Sequence, residues 1–238
     1  MAFHNGDHYD GEWKDGKPCG KGKMVYPNGD VYEGSFKNGY LNGTGKMTYK
    51  NGGVYEGAFL NNARYGQGKL LCPNGDVYKG QFSNNSITGN GKMTYANGSV
   101  YNGEFSKGIK HGFGKMDYTS GDVYVGNWDN DKRKGKGKLV YKLPVSALPS
   151  AVSVYEGEFN NDYPIGKGTL YFRDGSKYVG DVVSGRMHGN GDRYYANGDV
   201  FSGEWENGQP KGKGIMTYKD GKKSKGKFVD GVFKKTLF

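Results

Sequence analysis

The residues with the most evident chemical potential are the lysines that follow paired glycines, as in Gly43-Thr44-Gly45-Lys46. A lysine behind a glycine-rich turn is how phosphate-gripping loops set a cation beside backbone N–H groups. That chemistry needs G-x-x-x-x-G-K-S/T opening a helix; here the earlier glycine, Gly39, lies one residue too far away and Met47 follows the lysine. The histidines offer less. His111 and His188 are far apart in sequence, His4 and His8 lie at its start, and none has the spacing of metal ligands or of a nucleophile–base pair. Cys19 and Cys72 are equally isolated, which implies neither a disulfide framework nor a zinc pair. The expectation is no catalytic residue, no metal and no cofactor.

What remains is charge. The net +10 is concentrated in two segments. Residues 131–142 hold six basic residues and one acid, Lys132, Arg133, Lys134 and Lys136 among them. Residues 219–238 hold seven basic and two acidic residues, including Lys222, Lys223, Lys225 and Lys227. Such clusters suit an anionic lipid surface or an acidic partner, at about 1 kcal/mol per basic residue near an anionic leaflet and with strong salt sensitivity. A second basic feature is a column: Lys23, Lys46, Lys69, Lys92, Lys115 and Lys138 recur at one position. The bland account is a solvated face; the sharp one is a ladder for an anionic lipid or acidic partner. Nucleic acid fits poorly, since no recognised binding module accompanies the charge.

The elements that must position these side chains are announced by a period. Tyr9, Tyr32, Tyr55, Tyr78, Tyr101 and Tyr124 are evenly spaced, and the beat resumes at Tyr155, Tyr178, Phe201 and Ser224. A fixed period in this range marks a repeat array. Within one repeat, Tyr32, Gly34 and Phe36 alternate with Glu33, Ser35 and Lys37, a strand period of two. Asn38-Gly39 opens a connection; Gly43, Gly45, Met47 and Tyr49 then trace a second strand, and Asn51-Gly52 is expected to close it as a type I′ hairpin turn. Position 39 of this repeat is glycine, asparagine or aspartate in all the others, the residues that tolerate left-handed backbone. All glycines except Gly6 and Gly53 fall in such columns, and the ring column that includes Phe36, Phe59, Phe82 and Phe105 is expected to lie across glycine backbone and hold the strands together. The glycines are architectural.

Composition agrees with a folded chain. Mean hydropathy is −0.83 and only 34% of residues are hydrophobic, but 15% are aromatic, too many for disorder. The start lacks an apolar stretch of the kind secretion signals carry, so a cytosolic setting is expected.

The recurring pattern Y-x-G-x-(W/F)-x-x-G-x-x-x-G-x-G-x-x-x-Y-x-x-G resembles the MORN repeat (membrane occupation and recognition nexus) across residues 9–228. The resemblance implies an all-β fold, an elongated single-layer twisted antiparallel ribbon of consecutive β-hairpins. The expected organisation is a short lead (1–8), repeats one to six (9–141), an inserted proline-containing loop (142–154), repeats seven to nine (155–223), and a partial repeat with a basic and apolar cap (224–238). It further implies a non-catalytic scaffold that binds protein partners along the ribbon, at a membrane-associated or cytoskeletal structure. Exposed portions of Tyr32, Tyr55, Tyr78, Tyr101 and Tyr124 are the expected partner contacts. The alternative is a peripheral membrane module that binds anionic phospholipid through the two basic clusters. A homodimer through the C-terminal end is also consistent with the family.

Overall fold

The computed structural model describes residues 5–142, 144, 146, 150–229 and 232–235. Every regular element among them is a β-strand. The chain divides into two compact units, residues 1–119 and 120–238. In the first, ten strands run from His8–Lys14 to Ile109–Asp117, each antiparallel to its sequence neighbour. In the second, ten strands from Val123–Asp129 to Val232–Lys235 repeat the scheme. Residues 143, 145 and 147–149 of the inserted loop and the apolar ending Leu237-Phe238 lie outside the described residues, and the last three residues of that loop open the strand Val152–Asn160.

The two turns of each repeat exchange the roles expected of them. Strand Val31–Lys37 and strand Tyr40–Thr48 are joined by Asn38 and Gly39 alone, with φ of 53° and 86°. Positive φ at both central residues is the type I′ signature, whose twist matches that of the flanking strands. The second strand therefore starts at Tyr40, earlier than the alternation from Gly43 indicates. Asn51-Gly52 lies instead in a five-residue connection where only the glycine has positive φ and the Asn51 side chain accepts the Gly53 N–H at 3.0 Å. Gly6 is not spare either: Asn5-Gly6-Asp7 carries the same side-chain bond, Asn5 to Asp7 at 2.8 Å, as Asn28-Gly29-Asp30 at 2.9 Å.

Each hairpin is bent by a bulge, and the tyrosine explains why. In repeat two Gly34 faces Gly45 while Phe36 faces Leu41, so the second strand carries extra residues, with Gly43 at φ 99°. The bulge lifts the Ser35 carbonyl out of the ladder, and the Tyr32 hydroxyl donates to it at 3.0 Å. The same bond, tyrosine to the carbonyl three residues on, recurs at Tyr9, Tyr55, Tyr78, Tyr101, Tyr124, Tyr155 and Tyr178 between 2.8 and 3.1 Å. To reach it the ring lies flat on the glycine pair: a Cβ on Gly57 would stand 2.5 Å from the Tyr55 hydroxyl and 2.6 Å from the Gly68 Cα. Tyrosine, not the phenylalanine column, covers the bare backbone.

The phenylalanines have a different part. Phe36 is wedged edge-on between Tyr9 and Tyr32, Phe59 between Tyr32 and Tyr55, and Phe82 between Tyr55 and Tyr78, with ring centroids 4.9–5.3 Å apart. Such edge-to-face contacts add about 0.5–1.5 kcal/mol each beyond area burial. Met24, Met47, Met93 and Met116 of the second strands complete this core face in the first unit. The repeats are also tied at their turns: Asp30 accepts the Lys50 N–H at 2.9 Å, and Asn62 accepts the Leu41 N–H at 2.7 Å.

Candidate interaction surface

The opposite face of the sheet is polar and solvent-exposed, and two rows of side chains cross it beside the glycine pairs. Register places Asp10, Lys23, Glu33, Lys46 and Glu56 directly opposite one another in succession, so the first row begins with alternating sign. Lys23 meets Glu33 at 2.8 Å and Lys46 meets Glu56 at 3.3 Å. The lysine's hydrogen bond and charge hold the Glu33 carboxyl below its ordinary range. The alternation runs on to Lys69, opposite Glu56, and stops there. Lys69 faces Lys79, and Lys79 faces Lys92. The second row runs through Thr44, Ala58, Gln67, Gln81 and Asn90. Between the rows in repeats three and four is an open groove of about 570 Å³, floored by Gly68, Gly80 and Gly91.

The expected site residues scatter across these settings. Tyr32, Tyr55, Tyr78, Tyr101 and Tyr124 are 0% exposed, which corrects the expectation that exposed portions of them meet a partner. Each is flattened against the glycines by its own hydrogen bond, and burial pushes the pKa of Tyr32, Tyr55 and Tyr78 up to about 12. Arg133 is withdrawn from the basic cluster of residues 131–142. Its guanidinium stacks 5.6 Å from Tyr124 and 5.4 Å from Phe159, bonds the Asp162 carbonyl at 2.7 Å, and leaves 17% of its side chain exposed. Lys134 is engaged by Asp129 at 2.7 Å. Lys132 and Lys136 are exposed, Lys136 opposite Glu158. In the tail Lys222 meets Asp220 at 2.8 Å, whereas Lys223 and Lys225 are exposed and Lys227 lies between Lys213 and Lys234. His111 is exposed in the first unit and His188 half-buried in the second. No group of three metal-type ligands occurs among the described residues, and both cysteines are free. No helix there is long and apolar enough to cross a membrane.

Lys79 is the surface residue that the sequence pattern conceals. The lysine column follows G-x-G, but Lys79 follows a tyrosine, and only strand register brings the two columns side by side. The signal lay in the tyrosine-plus-one column, where Glu33 and Glu56 give way to Lys79.

This hairpin, with its glycine pair, its bulge and a tyrosine that Phe201 replaces in the last segment, recurs through residues 9–31, 32–54, 55–77, 78–100, 101–123, 124–142, 155–177, 178–200 and 201–223, and each of those nine segments matches the pattern of the MORN repeat. The chain belongs to the MORN-repeat family. No curated protein sequence matches this MORN-repeat chain. Among solved structures, the wild-type TCP10 domain of Danio rerio CPAP in complex with a peptide of Danio rerio STIL is 16% identical, with a TM-score of 0.52 over 95% of this chain and 96% of that chain. The TCP domain of Drosophila melanogaster SAS-4 (dCPAP), in complex with a proline-rich motif of Ana2 (dSTIL), is 14% identical, with a TM-score of 0.43 over 78% of this chain and 90% of that chain. The likeness to the Danio rerio domain is one of fold.

Proposed function

We propose that the chain is a non-catalytic scaffold whose polar sheet face docks protein partners, with affinity summed over several repeats, at a membrane-associated or cytoskeletal structure in the cytoplasm. The observation that supports this is the division of labour between faces. Aromatic rings seal one side of the sheet against itself, while the other side is open, grooved along the glycine pairs and varied from repeat to repeat. Many weak contacts on a preformed surface give useful affinity without a deep pocket. The same fold in the CPAP domain of Danio rerio holds a STIL peptide, which is consistent with a sheet of this kind serving as a peptide platform.

The test uses a substitution the fold already accepts. Glu12 and Glu104 occupy the second-row column and bond the bulge N–H groups of Lys21 and Phe113, each at 2.9 Å. Ser35→Glu, Ala58→Glu and Gln81→Glu place the same side chain in three further repeats. Proximity labelling in cells should show partners lost stepwise from single to triple variant, with circular dichroism unchanged. Folded variants that label the same proteins as the wild type would overturn docking on this face.

Anionic phospholipid is the second reading, and the tail favours it over residues 131–142. Lys213, Lys227 and Lys234 lie in register and form no ion pair among the described residues, unlike Arg133 and Lys134. Flotation with phosphatidylserine vesicles at physiological salt, lost on Lys227→Glu, would establish it; absence of flotation would remove it.

A further inference from the structure

We propose that the strip formed by Lys69, Lys79 and Lys92, with the facing amides Gln67, Gln81 and Asn90, binds an extended acidic segment of the protein partner. The inference rests on the scaffold reading above and gives the partner its chemistry.

Three like charges in register are the first observation. Lys69 faces Lys79 and Lys79 faces Lys92 across neighbouring strands, and all three are exposed. Like charges directly opposite in a sheet are destabilising. The fold has a ready solution, since glutamate at the Lys79 column gives the paired rows of repeats one to three. None of the three lysines forms an ion pair among the described residues. The register neighbour of Lys69 that could neutralise it, Glu56, is engaged by Lys46 at 3.3 Å. A repulsive row that one substitution would relieve is what an external anion would compensate.

The groove supplies the second observation and separates peptide from point anion. Its floor is glycine backbone, so a second chain can approach without meeting side chains. One wall is Lys69 and Lys79, ending at Glu56, whose charge Lys46 meets at 3.3 Å; the other is Gln67 and Asn90, and an amide offers both donors and an acceptor to a main chain. In an extended segment alternate side chains stand about 6.7 Å apart, against about 4.8 Å between strands. Carboxylates two residues apart thus fall across the three flexible lysine stems while the peptide groups face the amides. An anionic membrane would satisfy the lysines and has no use for the amide wall.

The experiment measures anisotropy of a fluorescent octapeptide of alternating glutamate and serine on the full-length chain, at low and physiological salt. Wild type should bind and weaken with salt. Lys79→Glu should reduce affinity at least about tenfold, the equivalent of about 1.4 kcal/mol, while raising Tm by about 1–3 °C because charge alternation is restored. Lys79→Met, which removes charge without reversing it, should lie between. Lys138→Glu, at the same column in the second unit and paired there with Glu156, should leave peptide binding unchanged. Equal binding by wild type and Lys79→Glu would overturn the proposal, as would equal binding of an alternating lysine–serine peptide or a fall in Tm with Lys79→Glu. Flotation of the wild type on phosphatidylserine vesicles at physiological salt, abolished by Lys79→Glu, would assign the strip to membrane and overturn it too. If Lys79→Glu binds normally while the second-row glutamates still lose partners in cells, only this inference fails; if both series behave as wild type, the scaffold reading fails with it.

Discussion

Repeats two and four scarcely differ on the face that Tyr32 and Tyr78 cover. Both tyrosines are wholly buried, and their hydroxyls donate to the carbonyl three residues on at 3.0 and 3.1 Å. Both are met edge-on by a phenylalanine of their own strand, at 5.2 and 5.3 Å. On the other face Glu33 of repeat two closes an ion pair, and Lys79 of repeat four faces a lysine on either side. One backbone therefore carries two independent texts. The buried face is dictated by the bulge, whose carbonyl needs a donor and whose glycines need a flat cover. The exposed face obeys no such demand, so its departures from pattern are where partner choice can be written.

The largest effect should come from forcing the buried face. A Cβ in Gly45→Ala would overlap the Tyr32 hydroxyl, and in Gly91→Ala the Tyr78 hydroxyl, where the ring is wholly buried and pinned by its own hydrogen bond. Overpacking of this kind costs about 1–3 kcal/mol, and displacement of the tyrosine hydroxyl adds the loss of a buried hydrogen bond. Denaturant unfolding of both variants should show losses of about 3 kcal/mol, equal within error despite the opposite charge order on the far side. Unequal losses would break the claim that the two faces are independent.

Alkali should act on the same buried rings. Burial raises Tyr32, Tyr55, Tyr78, Tyr155 and Tyr178 from an ordinary 10.0 to about 12. A group whose folded pKa lies above its unfolded one contributes stability that is complete below the unfolded value and is lost as pH rises through the folded value. The fold should hold its denaturation midpoint up to about pH 10 and lose it progressively towards pH 12, with phenolate absorbance rising as the sheet melts. Tyrosines that ionise near their ordinary value in a sheet still intact by circular dichroism would contradict the buried geometry.

Much of the buried face was legible because its periodicity is strict: strands, hairpins, turn glycines and the aromatic columns all follow from alternation and spacing. What was not legible depends on the third dimension. Asn51-Gly52 has the sequence of a type I′ turn, but the bulge adds residues to the second strand and moves the tight turn to Asn38-Gly39. The sequence leaves room for exposed portions of the tyrosines, because nothing in it announces that each hydroxyl is consumed by a bulge carbonyl. Arg133 looked like surface charge in a polybasic run, and only Asp162, from the following repeat, shows it is stacked into the edge of the core. Lys79 needed strand register before its neighbours could be known.

The smallest effect tests the one place where the buried face departs from its own rule. The column of Met24, Met47, Met93 and Met116 reaches Arg193 in the second unit, where the side chain is 7% exposed. Its guanidinium sits 3.5 Å over Phe172 and one nitrogen donates to the Ser176 hydroxyl at 2.8 Å, but the other terminal nitrogen is buried without a partner. Burial accordingly pulls its pKa below the ordinary arginine value, against the nearby charge of Asp174. Replacing a buried, incompletely bonded charge by an apolar side chain of similar length is often neutral or stabilising. Arg193→Met should therefore raise stability by about 1 kcal/mol, with Ser176 still bonded to Asp174. The reciprocal Met47→Arg, which puts a guanidinium where no Ser176 awaits it, should lower stability. If Arg193→Met is instead clearly destabilising, the stacking on Phe172 outweighs the missing hydrogen bond, and this arginine belongs with Arg133 as a clamp on the aromatic column rather than as an exception to it.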